Sequence, residues 1–193
     1  MAVVSKLSFL AGNTLGKFVR DRRANVAVEF AVIVPLMLTF FFTTVEISDA
    51  LSIKRKATLV ARTMSDLVSQ SSKVTDTDMT NFTKTAVAIM TPYSGTPLKT
   101  TVSELYVDPA TLTAKVKWSK GSVPLADNVT VAIPTALQVG GTYLIYAQVE
   151  YKYTPAVGYF FNKIIGRTLT DETFTRPRQS LCVLYGTQAA CPT

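Results

Sequence analysis

The most restrictive feature of this sequence is a long apolar segment near its beginning. Residues 26–47 are 22 residues long and consist mostly of Val, Ile, Leu, Phe, Met and Ala. As an α-helix this segment would be about 33 Å long, which is sufficient to cross the hydrocarbon core of a lipid bilayer. The length and composition of the segment therefore predict a membrane-spanning helix.

Basic residues are concentrated before this segment. Residues 1–23 contain five Lys or Arg and one Asp, so they account for +4 of the net charge of +7. Because Lys and Arg beside a membrane helix stay on the cytoplasmic side, we expect a cytoplasmic leader over residues 1–24, a transmembrane helix over 25–47 and an extracytoplasmic head over 48–193. The basic residues form no dense stripe interleaved with aromatic residues, so we expect no nucleic-acid partner.

Three interpretations of the N-terminal region are open. One is a secretory signal peptide cleaved after Ala50, although the apolar core is longer than such peptides use. The second is an uncleaved signal anchor, in which Glu29 reaches water or pairs with Arg22 or Arg23. The third gives Glu29 a partner on another molecule, because a carboxylate within a membrane span normally has one.

The third interpretation depends on a local motif. Residues 22–35, RRANVAVEFAVIVP, resemble the start of the TadE-like proteins of tight-adherence (Tad, Flp-type) pilus systems, which are relatives of type IV pilins. The resemblance implies cleavage by a prepilin peptidase between Ala24 and Asn25. It also implies that Glu29 sets the assembly register by meeting the new amino group of a neighbouring subunit. Type IV prepilins favour Gly at the position of Ala24, so the chain departs from the pattern at the cut site.

The resemblance continues near the C-terminus, over residues 151–155, 169–170 and 175–180. It implies a minor pilin-like subunit that is anchored in the bacterial inner membrane and has a periplasmic head. The implied partners are a prepilin peptidase, the pilus assembly platform proteins and the major Flp-type pilin. The alternative is an uncleaved, membrane-anchored periplasmic scaffold or sensor. Arg176 and Arg178 bracket a proline, and they form either a solvated strand end or a docking surface.

The first helix is expected to continue beyond the membrane segment, to about residue 70. Apolar residues recur there every three or four positions, as on one face of a helix. These positions are Ile53, Ala57, Val60, Met64 and Leu67. A second helix is expected to begin at the N-cap Thr75 and to end at Thr91-Pro92.

Strands are expected after the second helix. The clearest covers residues 111–118, where apolar residues alternate with Thr and Lys as on a half-buried strand. These apolar residues are Leu112, Ala114, Val116 and Trp118. Further strands are expected at residues 101–107, 129–133, 143–153 and 167–176, and a short helix or loop at 157–165. The predicted fold class is α+β, with the long helix packed on a small antiparallel sheet.

The chain has two cysteines and no histidine. A disulfide between Cys182 and Cys191 would suit an oxidising periplasm, and two buried free thiols are the alternative. Histidine is the commonest general base and metal ligand, and the sequence also contains no nucleophile elbow or phosphate-binding loop. We therefore expect no enzyme activity, no cofactor and no metal site, and we expect Glu104, Asp108 and Glu150 to lie on exposed faces of strands.

Overall fold

The computed structural model describes residues 22–155 and 168–192, with side chains from residue 26 onward. Its helices and strands are, in chain order, α1 (Arg22–Ser69), β1 (Lys73–Val74), α2 (Asp76–Met90), β2 (Leu98–Val107), β3 (Ala114–Gly121), β4 (Thr130–Val131), β5 (Tyr143–Lys152), β6 (Thr168–Thr175) and β7 (Leu184–Tyr185). The predicted α+β class is confirmed. The leader up to residue 21 and the segment 157–165 lie outside the described residues.

Helix α1 belongs to two compact units of the chain, residues 1–47 and residues 48–193. In the first unit its side chains are almost all exposed. In the second unit it has a buried apolar stripe, which contains Ile53, Ala57, Val60, Ala61, Met64 and Val68. The last buried residue of the stripe is Val68, whereas Leu67 was predicted. One helical turn of 3.6 residues after Met64 falls between these two positions, so the sequence alone does not decide between them.

The stripe on α1 packs against one face of the sheet. Its partners there include Val102 on β2 and Ile145 and Ala147 on β5, all of which are fully buried. Each large aliphatic side chain buried in this way contributes about 1.5–3 kcal/mol to folding. This helix-side core therefore attaches the outer half of α1 to the head.

Helix α2 begins at the predicted N-cap. The hydroxyl of Thr75 accepts a hydrogen bond from the Asp78 amide at 3.3 Å, and the Asp78 carboxylate accepts one from the Thr75 amide at 2.9 Å. This reciprocal pair is a capping box, which satisfies two amide groups at the start of the helix. Hydrogen bonds from Thr75 hold the pKa of Asp78 below its ordinary value. The helix ends at Met90, one residue before the predicted Thr91-Pro92.

The main sheet contains five strands in the order β4-β3-β2-β5-β6, and each neighbouring pair is antiparallel. The two central strands, β2 and β5, have ten residues each. A second, two-stranded sheet pairs β1 with β7 in parallel. The chain segment after α1 is thereby joined to a segment close to the C-terminus.

A β-bulge in β3 moves its side chains from one face of the sheet to the other. The register pairs Trp118 with Glu104 but Val116 with Leu105, so Lys117 is the extra residue. Trp118 therefore lies in the helix-side core, whereas Val116 lies in a second core on the opposite face. The prediction that both residues share one buried face is wrong, because regular alternation holds only for an unbroken register.

The second core is covered by the segment between β3 and β5. Its buried members are Leu105, Val107, Ala114, Val116, Ile133, Leu144 and Tyr146. Leu112 was expected in the buried row of β3, but it lies in the preceding turn with a φ of 54° and is 43% exposed. The strand predicted at residues 129–133 is only two residues long, Thr130–Val131.

Candidate functional site

The first unit of the chain presents the apolar surface that a membrane helix requires. Its most apolar window has a mean hydropathy of 2.2, and none of that window is buried. Phe30, Val32 and Phe40, for example, are 63–68% exposed. By length and composition this helix is able to cross a membrane, which indicates membrane association.

Three threonines in the same segment satisfy their hydroxyl groups within the helix. Thr39 donates to the carbonyl oxygen of Pro35 at 2.8 Å, and Thr43 donates to that of Thr39 at 2.7 Å. Thr44 donates to the carbonyl oxygen of Phe40 at 2.9 Å. Because each hydroxyl has an acceptor four residues earlier, these threonines bring no unsatisfied donor into lipid.

Two carboxylates lie in the apolar segment, and they differ in burial. Glu29 is exposed, so its side chain is accessible to another molecule. Glu46 is 6% exposed and was not predicted as a site residue, although its place in the apolar run is visible in the sequence. The backbone of Ala24 and Asn25 lies in the first turn of α1. The roles of Ala24, Asn25 and Glu29 in processing and register stay predictions.

A disulfide between Cys182 and Cys191 closes a C-terminal segment, residues 182–191. Of the two alternatives for the cysteines, the structure has the disulfide. Several contacts hold the segment on the head. The Trp118 indole donates to the Val183 carbonyl oxygen at 2.8 Å, and the rings of Trp118 and Tyr185 lie 5.2 Å apart. The disulfide therefore adds a covalent link to a segment that a hydrogen bond and an aromatic contact already hold on the head.

Glu104 lies under this C-terminal segment, and its predicted exposure is wrong. It is 0% exposed, and its Oε1 accepts a hydrogen bond from the Val183 amide at 2.6 Å. Its Oε2 has no hydrogen-bond partner among the described residues. Burial raises the pKa of Glu104 from 4.5 to about 7, although the hydrogen bond from Val183 opposes that rise. The residue lies on a central strand, and its face is covered because the C-terminal segment returns over it.

Asp108 and Glu150, the other two strand carboxylates, are not buried. Asp108 accepts hydrogen bonds from the amides of Ala110 at 2.8 Å and Thr111 at 3.2 Å. These bonds lower the pKa of Asp108 and fix the turn between β2 and β3. Asp108 therefore has a structural role in that turn.

Helix α1 contacts the edge strand β6 through polar residues, which lie beside its apolar stripe. Lys54 forms an ion pair with Asp171 at 3.6 Å, and Thr58 donates a hydrogen bond to the same carboxylate. Ser65 donates to the Thr175 hydroxyl at 2.7 Å. Partial burial alone would raise the pKa of Asp171, but Thr58 and Lys54 hold it below its ordinary value. We call this set of contacts the polar seam.

Arg178 and Arg176, the two arginines after β6, differ in their contacts. The Arg178 guanidinium lies 2.7 Å from the carboxylate of Asp66, and its amide donates to the Ser69 carbonyl oxygen at 2.8 Å. Arg176 is exposed. Arg178 is thus more than a solvated strand end, because it fastens the chain after β6 to α1.

An open groove of about 360 Å³ interrupts the polar seam. The described residues that line it include Arg62, Asp66, Leu67, Thr173, Thr175 and Arg178. This groove could not be predicted from the sequence, because its two walls are separated by about a hundred residues. Among these residues, the sequence suggested a docking role only for Arg178, and it placed Leu67 on the apolar stripe of α1.

These features define a class of protein: a membrane-length helix that continues into a disulfide-closed α+β head. Residues 25–64 of the chain match the family described as TadE-like protein. The resemblance to TadE-like proteins is therefore confirmed for the N-terminal segment, and it indicates involvement in Tad pilus assembly. Neither the curated proteins nor the solved structures include a match to the chain.

Proposed function

We propose that the chain is a minor pilin-like subunit for assembly of a Tad-type pilus. Residues 26–47 would anchor it in the bacterial inner membrane, and the head would lie in the periplasm. The observation that carries the proposal is the position of the family match, which begins at Asn25. Asn25 is the residue that would become the new N-terminus after cleavage behind Ala24.

The proposed role of Glu29 follows from its distance from this cut. Glu29 lies four residues after Asn25, which is about one turn of an α-helix. A new amino group at Asn25 is positively charged at neutral pH. In lipid or in the core of a fibre, a carboxylate and an ammonium from neighbouring subunits would attract each other strongly and would favour one register.

The head supports this proposal through its chemistry. The disulfide between Cys182 and Cys191 is stable in an oxidising compartment such as the periplasm. Glu104 has a strongly perturbed pKa, but a fully buried carboxyl cannot reach a substrate, so we assign it a structural role. We therefore propose a subunit that acts by binding rather than by catalysis. Its partners would be a prepilin peptidase, the assembly platform proteins and the major Flp-type pilin.

The mature N-terminus tests the proposal. Intact mass and N-terminal peptide mass spectrometry of the membrane-bound protein should find a chain that begins at Asn25, and only in cells that contain a prepilin peptidase. Changing Ala24 to Gly should raise the processed fraction, since Gly adopts an extended conformation in a protease cleft more freely. A chain that keeps Met1 would favour the uncleaved scaffold. A start after Ala50 would indicate a signal peptide.

A further inference from the structure

We infer that the groove in the polar seam is a docking site for an acidic, extended segment of a different pilus-assembly subunit. This inference rests on the proposed function, and it specifies which surface of the head makes a subunit contact. Its occupant is identified by two properties of the groove, which are its charge and its position beside the edge strand β6.

The groove lies between α1 and β6, whose side chains meet at some positions of the polar seam and stay apart at others. At one end, Lys54 and Thr58 hold Asp171. At the other end, Ser65 bonds to Thr175, and Asp66 pairs with Arg178. The groove lies at this second end: Asp66, Thr175 and Arg178 form part of its wall, and the other lining residues complete it around an open volume of about 360 Å³. That volume is large enough for side chains of a partner.

The charge of the groove favours a carboxylate. Arg178 is positioned by Asp66 at 2.7 Å, and Asp66 is held in turn by Gln70 at 2.5 Å. Arg62 lies one helical turn before Asp66, is exposed, and has no acidic partner among the described residues. The groove therefore contains two guanidinium groups and one carboxylate. Because guanidinium groups bind carboxylates in a two-pronged geometry, an Asp or Glu side chain would complete the site.

The position of the groove favours an extended segment. In the described part of the sheet, β6 is an edge strand, paired with β5 on one side. Lys54 already donates to the Thr170 carbonyl oxygen at 2.5 Å, so a side chain covers one end of that edge. An edge strand offers backbone groups for pairing with another chain, and adding a strand is a common mode of peptide recognition.

A different subunit fits this site better than a second copy of the chain. Of the two described edge strands of the main sheet, only β6 carries acidic residues, and both of its carboxylates are already used within the head. Asp171 binds Lys54 and Thr58, and Glu172 accepts a hydrogen bond from the Tyr146 hydroxyl at 2.8 Å. A second β6 would also place like charges close together at the edge, which is unfavourable.

Charge reversal in the full-length chain tests the inference in cells that make pili. Arg62→Glu should reduce the number of surface pili about tenfold, since a charge-assisted contact is replaced by repulsion. The matched control is Lys84→Glu, which makes a similar charge change on an exposed residue of α2. The control should leave pili unchanged, and both variants should reach the wild-type amount in the membrane. Arg62→Gln, which removes the charge without adding repulsion, should give an intermediate loss.

A photo-crosslinking residue at Thr63, which also lines the groove, identifies the occupant. Mass spectrometry should map the crosslink to another pilus-assembly subunit, within a few residues of an Asp or Glu. Changing that acidic residue to Arg should restore pili to the Arg62→Glu variant. A crosslink to a second copy of the chain, or to a segment without acidic residues, would overturn the inference.

The two proposals can fail separately. If deleting the whole chain reduces pili but Arg62→Glu does not, the groove is not a docking site and the pilus role stands. If deletion leaves pili unchanged, the proposed function itself is refuted. Loss of pili in both Arg62→Glu and the control would attribute the effect to overall charge and would contradict the inference.

Discussion

Changing Glu104 to Gln isolates the cost of a buried carboxyl group in the head. Glutamine has nearly the same shape, and its side-chain oxygen can still accept the hydrogen bond from the Val183 amide. The substitution removes the titratable group but keeps the packing against Trp118. The expected effect is therefore a change in how stability depends on pH, with little change in structure.

The sign follows from the raised pKa of Glu104. The folded carboxyl holds its proton up to about pH 7, whereas an ordinary glutamate loses it at about 4.5. Between these values the unfolded state binds fewer protons, so the free energy of unfolding falls as the pH rises. The full effect of the shift is about 3 kcal/mol. This stability is present below pH 4.5 and is lost as the pH rises through 7.

The Glu104→Gln variant should not show this loss. At pH 5 its free energy of unfolding should be close to that of the wild type, because the wild-type carboxyl is then mostly neutral. At pH 8 the variant should be more stable than the wild type by about 2–3 kcal/mol. A neutral buried amide whose NH2 group lacks an acceptor costs less than a buried charge that has the same single hydrogen bond.

Trp118 provides the assay, since it is the only tryptophan of the chain and is paired with Glu104 across β2 and β3. Denaturant unfolding of the full-length chain in detergent can be followed by its fluorescence from pH 5 to pH 8. Glu150→Gln on β5, where the side chain is not buried, is the matched control, and it should not reproduce the gain in stability at pH 8. If Glu104→Gln and wild type keep a constant difference over this range, the buried-charge explanation is refuted.

Three further changes test other parts of the chain. Glu29→Gln should leave membrane insertion intact but reduce the number of pili, and equal numbers by electron microscopy would remove its proposed register role. Thr75→Ala should lower the free energy of unfolding by about 0.5–2 kcal/mol through loss of the capping box, measured by denaturant unfolding, whereas an exposed mid-helix change such as Thr80→Ala should have less effect. Replacing Cys182 and Cys191 by Ser should cost about 2–3 kcal/mol, as expected for a loop of about ten residues, and a reductant should destabilise the wild type but not this variant.

The helices could be predicted from the sequence because their signals are local. The apolar stripe of α1 repeats over several turns, and Thr75 and Asp78 form a recognisable N-cap within four residues. The β3 bulge could not be predicted. Polar and apolar residues alternate in the sequence around Lys117 whether or not a bulge is present. Only the pairing of β3 with β2 shows that Lys117 is the extra residue.

Some residues of the candidate sites could be predicted and others could not, because the sequence shows local patterns but does not show contacts between distant residues. Glu29 and the two cysteines stand out in the sequence because of residue type and position. Glu104 was misjudged because its burial depends on Val183, which is 79 residues later in the chain. The groove in the polar seam likewise depends on Arg62 and Arg178, which are far apart in the sequence and line the same groove only in the folded head.

The C-terminal segment is held on the head by several small contacts that act together. β7 is only two residues long, and its pairing with β1 could not hold the segment alone. Val183 is fixed through both of its backbone polar groups, since its amide donates to Glu104 and its carbonyl oxygen accepts from Trp118. The disulfide then restricts the unfolded chain. Because burial raises the pKa of Glu104 to about 7, one of these attachments places a charge in the core above that pH, and the disulfide adds stability to the same segment.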